Sequence, residues 1–113
     1  MRPGAYVPAR GDLVWLDFDP QAGREQSGRR PALVISPAAY NRKVGLALAC
    51  PITSQVKGYP FEVALPAGLA ITGVVLSDHV KSLACAARRA TRAAVAPADV
   101  VAEVLAKLAT LVT

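Results

Sequence analysis

Glu25 and Arg30 stand five residues apart in the stretch Gly23-Arg24-Glu25-Gln26-Ser27-Gly28-Arg29-Arg30-Pro31. A carboxylate can take the proton of a ribose 2′-hydroxyl. A guanidinium can neutralise the charge that builds on a pentavalent phosphorus, or help protonate the leaving oxygen. This chemistry needs no metal, and the sequence offers no carboxylate cluster to hold one. The same residue types also suit a solvated hairpin loop, so the stretch alone leaves both readings open.

A second polar cluster is Thr53-Ser54-Gln55-Val56-Lys57-Gly58-Tyr59. Hydroxyls and amides read base edges and phosphate oxygens, and a lysine adds a point charge. The alternative is a turn ending at Gly58, since turns select these residues anyway. A third run is Asp78-His79-Val80-Lys81-Ser82. A histidine such as His79 could serve as an acid–base group, but a lone histidine beside a strand serves structure as readily. Arg88, Arg89 and Arg92 form a basic cluster that suits an RNA backbone, or a solvated strand edge protected from aggregation by its charge.

Short strands must position these residues. Asp12 to Phe18 reads as the first, with Val14, Leu16 and Phe18 on one face. Pro31 to Ser36, Gly45 to Thr53, Tyr59 to Leu65, Thr72 to Leu76 and Val80 to Ala84 follow, with a weaker strand around Arg88 to Ala93. Pro51 removes a ladder donor and predicts an edge or a bulge. Strands at this spacing predict a small barrel or sandwich. The period then changes. Pro97 suits a first helical turn, and Val101, Val104, Leu105, Leu108, Leu111 and Val112 recur at helical spacing. Asp99 and Lys107 suit the dipole, and Glu103 with Lys107 forms an i,i+4 pair.

The 113 residues predict a single domain spanning 1–113, large enough for one modest core. The net charge of +5 and pI near 9.7 tilt toward a polyanionic partner, yet ordinary solubility charge spans roughly 2–8. Cys50 and Cys85 lie in apolar surroundings and read as buried reduced thiols. His79 lacks a second ligand at useful spacing, so neither zinc nor any other metal or cofactor is expected. Met1-Arg2-Pro3-Gly4 opens no apolar run, which predicts no signal peptide, and no run approaches the ~20 residues that cross a bilayer. A cytoplasmic protein without membrane contact is the expectation.

Taken in order and spacing, six pieces resemble the MazF/PemK family of bacterial toxin endoribonucleases. They are Gly11-Asp12-Leu13-Val14-Trp15, Asp17-Phe18-Asp19-Pro20, the Gly23–Pro31 stretch, Pro51-Ile52-Thr53-Ser54, Lys57-Gly58-Tyr59-Pro60-Phe61-Glu62-Val63 and Asp78-His79-Val80-Lys81-Ser82. The resemblance runs from Tyr6 through the C-terminal helix. It implies a mainly β, SH3-like small barrel with a terminal helix, of the MazF/PemK/CcdB type, working as a homodimer. It implies sequence-specific, metal-independent cleavage of single-stranded mRNA, leaving a 2′,3′-cyclic phosphate and a 5′-hydroxyl. It further implies a cognate, acidic, MazE-like antitoxin, which suits the basic charge.

By motif, Arg30 matches the main catalytic cation, Thr53 a partner that positions the phosphate, and Glu25 a position assigned here as general base. Phe18, Gln26, Ser54, Gln55 and Lys57 would line the RNA groove, and Arg29, Lys81 and Arg88 complete the predicted RNA-binding set. The chain departs from the pattern in places. Arg24 replaces a common serine. His79 replaces a common glutamine, which argues against a proton shuttle. Cys85 and Ala86 replace a frequent Trp-Arg, and a missing aromatic anchor costs about 1–3 kcal/mol at a partner groove. The alternatives are a non-catalytic SH3-like nucleic-acid binder, and a gyrase-poisoning toxin of the same architecture. Toxins of the latter kind lack the Glu-Gln-x-Gly-x-Arg-Pro signature.

Overall fold

Val14, Leu16 and Phe18 alternate with Leu13, Trp15 and Asp17, and an extended chain sends the two sets to opposite faces. In the computed structural model, which describes residues 6–18 and 28–113, both faces of this strand, β1 (Asp12–Phe18), are covered. Leu13 joins a core with Leu33, Cys50, Ile52, Val75 and Val104. Val14, Leu16 and Phe18 join a second cluster with Ala32, Val34, Ala49 and Leu83.

The remaining elements are β2 (Gly28–Val34), α1 (Ala38–Val44), β3 (Ala47–Thr53), β4 (Glu62–Ala64), β5 (Val74–Leu76), a 3-10 turn (Ser77–His79), β6 (Lys81–Leu83), β7 (Thr91–Val95) and α2 (Ala98–Val112). The strands pair antiparallel in the order β4-β5-β3-β2-β1-β7, with β6 also against β3. The fold is thus mainly β with a C-terminal helix, an open form of the predicted small barrel.

Pro51 corrects an expectation, since it lies in neither an edge strand nor a bulge. It pairs with Ala32 inside β3, the strand with the most neighbours. On its other edge, β3 pairs with β6 through Ala47–Ala49 and with β5 through Ile52 and Thr53. Pro51 falls between those two ladders, where no donor is required.

Helix α2 lays Val100 and Val104 into the core, with Val101, Leu105 and Leu108 packed beside them. The predicted stripe missed Val100 and ran too far. Leu111 and Val112 are exposed beyond the surface that the helix covers. Glu103 and Lys107 make the expected pair at 3.8 Å, and Lys107 also donates to the Pro60 carbonyl.

Helix α1 has no counterpart among the predicted elements, because its seven residues carry no apolar stripe. Its signals are terminal. Pro37 precedes it in an extended conformation, and Gly45 closes it at φ 75° while donating to the Asn41 carbonyl. Its one buried residue, Asn41, donates through Nδ2 to the carbonyls of Pro8 at 2.8 Å and Ser36 at 3.0 Å, and accepts from Ser36 Oγ. Ser36 Oγ in turn accepts from Leu48 N–H. One amide therefore ties the N-terminal segment to the ends of β2 and β3.

Two outcomes follow from these interiors. Asn41→Ala orphans buried polar partners and should lower unfolding free energy by roughly 2–3 kcal/mol in a denaturant titration. Both thiols are buried. Burial, with a smaller contribution from the Asp78 charge, pushes the Cys50 thiol up to about 12, and burial also raises Cys85. At pH 8 a thiol reagent should label neither cysteine in the native protein and both in denaturant.

Candidate nucleic-acid cleavage site

The pairing of β2 with β3 matches Ala32 with Pro51 and Leu33 with Cys50. Run on by two residues toward the start of β2, that register sets Arg30 opposite Thr53. Both residues line a cavity of about 430 Å³, with Trp15, Arg29, Ser54 and Gln55 also on its wall. Residues from two strands thus line one cavity, although 23 positions separate Arg30 from Thr53 in the chain. Arg30 is exposed and Thr53 half-buried, so a ligand can reach both.

A second cavity, about 450 Å³, shares Thr53 and Gln55 with the first and adds Lys57, Tyr59, Asp78 and His79. Thr53 and Gln55 therefore stand between two polar hollows that form one trough. The Thr53–Tyr59 loop is pinned from within. The Glu62 carboxylate accepts from Lys57 N–H at 3.0 Å and Gly58 N–H at 2.9 Å, while Thr53 Oγ1 accepts from Gln55 N–H at 3.1 Å. Tyr59 donates its hydroxyl to Asp78 at 3.0 Å and lies 3.5 Å from His79 Nε2. Burial, then the hydrogen bond to Asp78, raises the Tyr59 phenol above its ordinary value, so it remains a neutral donor.

The other predicted site residues are distributed differently. Phe18 is buried, 8% exposed, with the Lys81 ammonium 5.7 Å from its ring centroid. That distance suits a cation–π contact. Arg88 donates to the Asp17 carbonyl at 3.1 Å. Arg29 donates to the Asp17 carboxylate at 2.9 Å. Glu25 and Gln26 lie outside the described residues. Among the described residues, no three His, Cys, Asp or Glu side chains cluster as a metal site would need, and no helix is long and apolar enough to cross a membrane. A further cavity, about 490 Å³ beside Tyr6, Val44 and Cys85, shares no residue with the trough.

Sequence reasoning missed Gly73. Its φ is 122°, and a Cβ there would lie 2.3 Å from the Thr53 carbonyl oxygen. Only glycine lets the approach to β5 pass this close to Thr53. The sequence predicts a strand through Thr72 and Gly73, and nothing in the sequence says which carbonyl the glycine passes.

Comparison with known proteins gives the chain's family and relatives. Residues 9–112 match the family described as PemK-like, MazF-like toxin of type II toxin-antitoxin system. The endoribonuclease toxin MazF of Escherichia coli K12 is 58% identical over 87 residues, which cover 77% of this chain and 78% of that one. The crystal structure of MazF (Form-I) from Deinococcus radiodurans superposes with a TM-score of 0.88 at 64% identity, covering 96% of this chain and 98% of that chain. A MazE-MazF crystal structure (Form-II) from the same organism gives 0.89, also at 64% identity, covering 96% and 97%.

Gly73→Ala should be costly at this site. The expected loss is about 1–3 kcal/mol of stability from backbone strain, with Thr53 displaced in addition. Gly68→Ala is the control: its φ of 95° is also strained, but nothing lies within 4 Å of an added Cβ. Thermal unfolding with ligand titration should show both variants destabilised and only Gly73→Ala impaired at the trough.

Proposed function

The chain belongs to the PemK-like, MazF-like toxins of type II toxin–antitoxin systems, and on that premise we propose that it is a sequence-specific endoribonuclease acting on single-stranded mRNA. The observation that carries the reading is the meeting of Arg30 and Thr53 across β2 and β3 on one polar cavity. Arg30 neutralises the charge that grows on the phosphoryl oxygens during attack, and Thr53 holds one of those oxygens in place. Glu25 takes the proton from the ribose 2′-hydroxyl. The new bond joins that oxygen to phosphorus, the bond from phosphorus to the 5′-oxygen breaks, and a proton passes to the leaving oxygen. The products are a 2′,3′-cyclic phosphate and a 5′-hydroxyl, and the proton balance needs no metal.

In this reading the trough extends RNA contact from Arg30 past Gln55 to Lys57, with Ser54 beside it, and Gln26 adds an RNA contact as the motif implies. Phe18 and Lys81 act as a pair. The protein is a single-domain, cytoplasmic homodimer that an acidic antitoxin inhibits. The MazE-MazF structures of the Deinococcus relative support such a partner, and the net charge of +5 suits an acidic one.

The test is purified protein with single-stranded RNA of varied sequence in EDTA. Cleavage should appear at a short recurrent motif with 2′,3′-cyclic ends, and RNA left intact across all sequences would refute the proposal. Salt-dependent binding without product would instead mark a non-catalytic binder. Arg30→Ala should lower cleavage by about 10²–10³-fold while leaving the melting temperature nearly unchanged. Wild-type cutting by that variant would remove Arg30 from the mechanism.

A further inference from the structure

Arg89 has φ 55°, and among the described residues it alone takes a positive φ without being glycine. A side chain in that region is strained and persists only where its surroundings hold it. Its own turn does so first: Arg89 N–H donates to the Ala86 carbonyl at 3.1 Å and Ala90 N–H to the Cys85 carbonyl at 2.9 Å, the pattern that closes a helical turn with a left-handed residue. Two further bonds tie that turn to β1 and β2: the Arg89 Nε donates to the Asp17 carboxylate at 2.8 Å, and the Arg89 carbonyl accepts from Arg29 Nη2 at 2.7 Å. Arg29 reaches the other Asp17 oxygen at 2.9 Å and Thr91 Oγ1 at 3.0 Å. Below them, Asp17 N–H donates to the Arg88 carbonyl at 2.8 Å, and Arg88 returns a bond to the Asp17 carbonyl.

Asp17 is thus gripped by two guanidiniums through its side chain and by Arg88 through its backbone. The three parties come from β1, from β2 and from the turn that leads into β7. Asp17 and Arg29 are register partners, and the next pair along is Leu16 with Arg30. The hydrogen bonds from Arg89 and then Arg29 hold the Asp17 carboxyl below its usual value, which keeps the clamp charged at neutral pH.

We infer that Asp17, Arg29 and Arg89 are positioning residues that fix the start of β2, and with it the placement of Arg30 against Thr53. An exposed ion pair adds little to stability, so stability alone does not account for two guanidiniums committed to one carboxylate. Geometry does, because a shift of about 1 Å in a catalytic group can cost 10²-fold in rate. This role for Arg29 differs from direct RNA binding. It also rests on the proposed endoribonuclease activity, so wild-type cleavage is measured alongside every variant.

Three substitutions separate the roles. Asp17→Asn raises net positive charge, so simple electrostatics predicts equal or tighter RNA binding. The clamp predicts kcat lower by about ten- to hundredfold with KM within about twofold. Arg89→Gly relieves the positive φ while removing the grip on Asp17. It should melt no lower than wild type yet lose kcat to a similar extent, a separation that a purely structural role cannot produce. Arg29→Gln should lower kcat while leaving the salt dependence of RNA binding unchanged. Loss of a phosphate contact would instead reduce that slope by about 0.7. Wild-type kcat in Asp17→Asn and Arg89→Gly overturns the clamp, as does an Arg29→Gln variant changed only in KM and salt slope. No product from the wild-type chain overturns the proposed function and the clamp together.

Discussion

Strand β3 must satisfy neighbours on both edges at once, and the rest of the molecule depends on how it does so. One edge takes β2, while the other takes β6 first and β5 afterwards. Cys50 and Ile52 face one core, and Ala47 and Ala49 face the other. A slip of one residue would exchange those sets and bury the wrong side chains. The register is therefore set by apolar packing. Once it is set, the same register brings Arg30 and Thr53 to the wall of one cavity at the end of the ladder.

The positive charge is distributed with the same economy. Arg10 donates to the Ile35 carbonyl at 2.7 Å, Arg88 to the Asp17 carbonyl, and Arg89 to the Asp17 carboxylate. Lys107 binds the Pro60 carbonyl on the helix side. These cations hold the chain to itself. Those on the wall of the joined cavities are Arg29, Arg30 and Lys57, and Arg29 also grips Asp17. A net charge of +5 thus says little about where a polyanion sits until these internal commitments are known.

The apolar alternation of β1 and the helical period of α2 were legible in the sequence because packing writes itself into residue type. The motif also singled out Arg30 and Thr53, which the fold brings to the wall of one cavity. Helix α1 was not legible, since it is built by Asn41 hydrogen bonds and a closing glycine, which leave no periodic trace. Pro51 misled because its effect depends on which partner each edge of β3 has at that residue, a property of topology. Gly73 and Arg89 were illegible for the same reason. One is constrained by a carbonyl twenty positions earlier, the other by a carboxylate seventy-two positions away.

The two ends of the sheet are built on opposite terms. Where β2 leaves and β3 begins, Asn41 and Ser36 satisfy each other and their backbone neighbours, and Gly45 provides an ordinary helix stop. Where β1 ends, β2 begins and β3 ends, the backbone takes forms that few residues allow: Arg89 at positive φ, and Gly73 where an added Cβ would meet the Thr53 carbonyl. Strain persists only where the surroundings over-determine it. For Arg89 the surroundings are the backbone bonds of its own turn and the bonds to Asp17 and Arg29, and those strands are in turn registered by the two cores that the other end helps to lock. The stable end thus lets the other end hold Arg30 and Thr53 in a placement that local propensity would not choose.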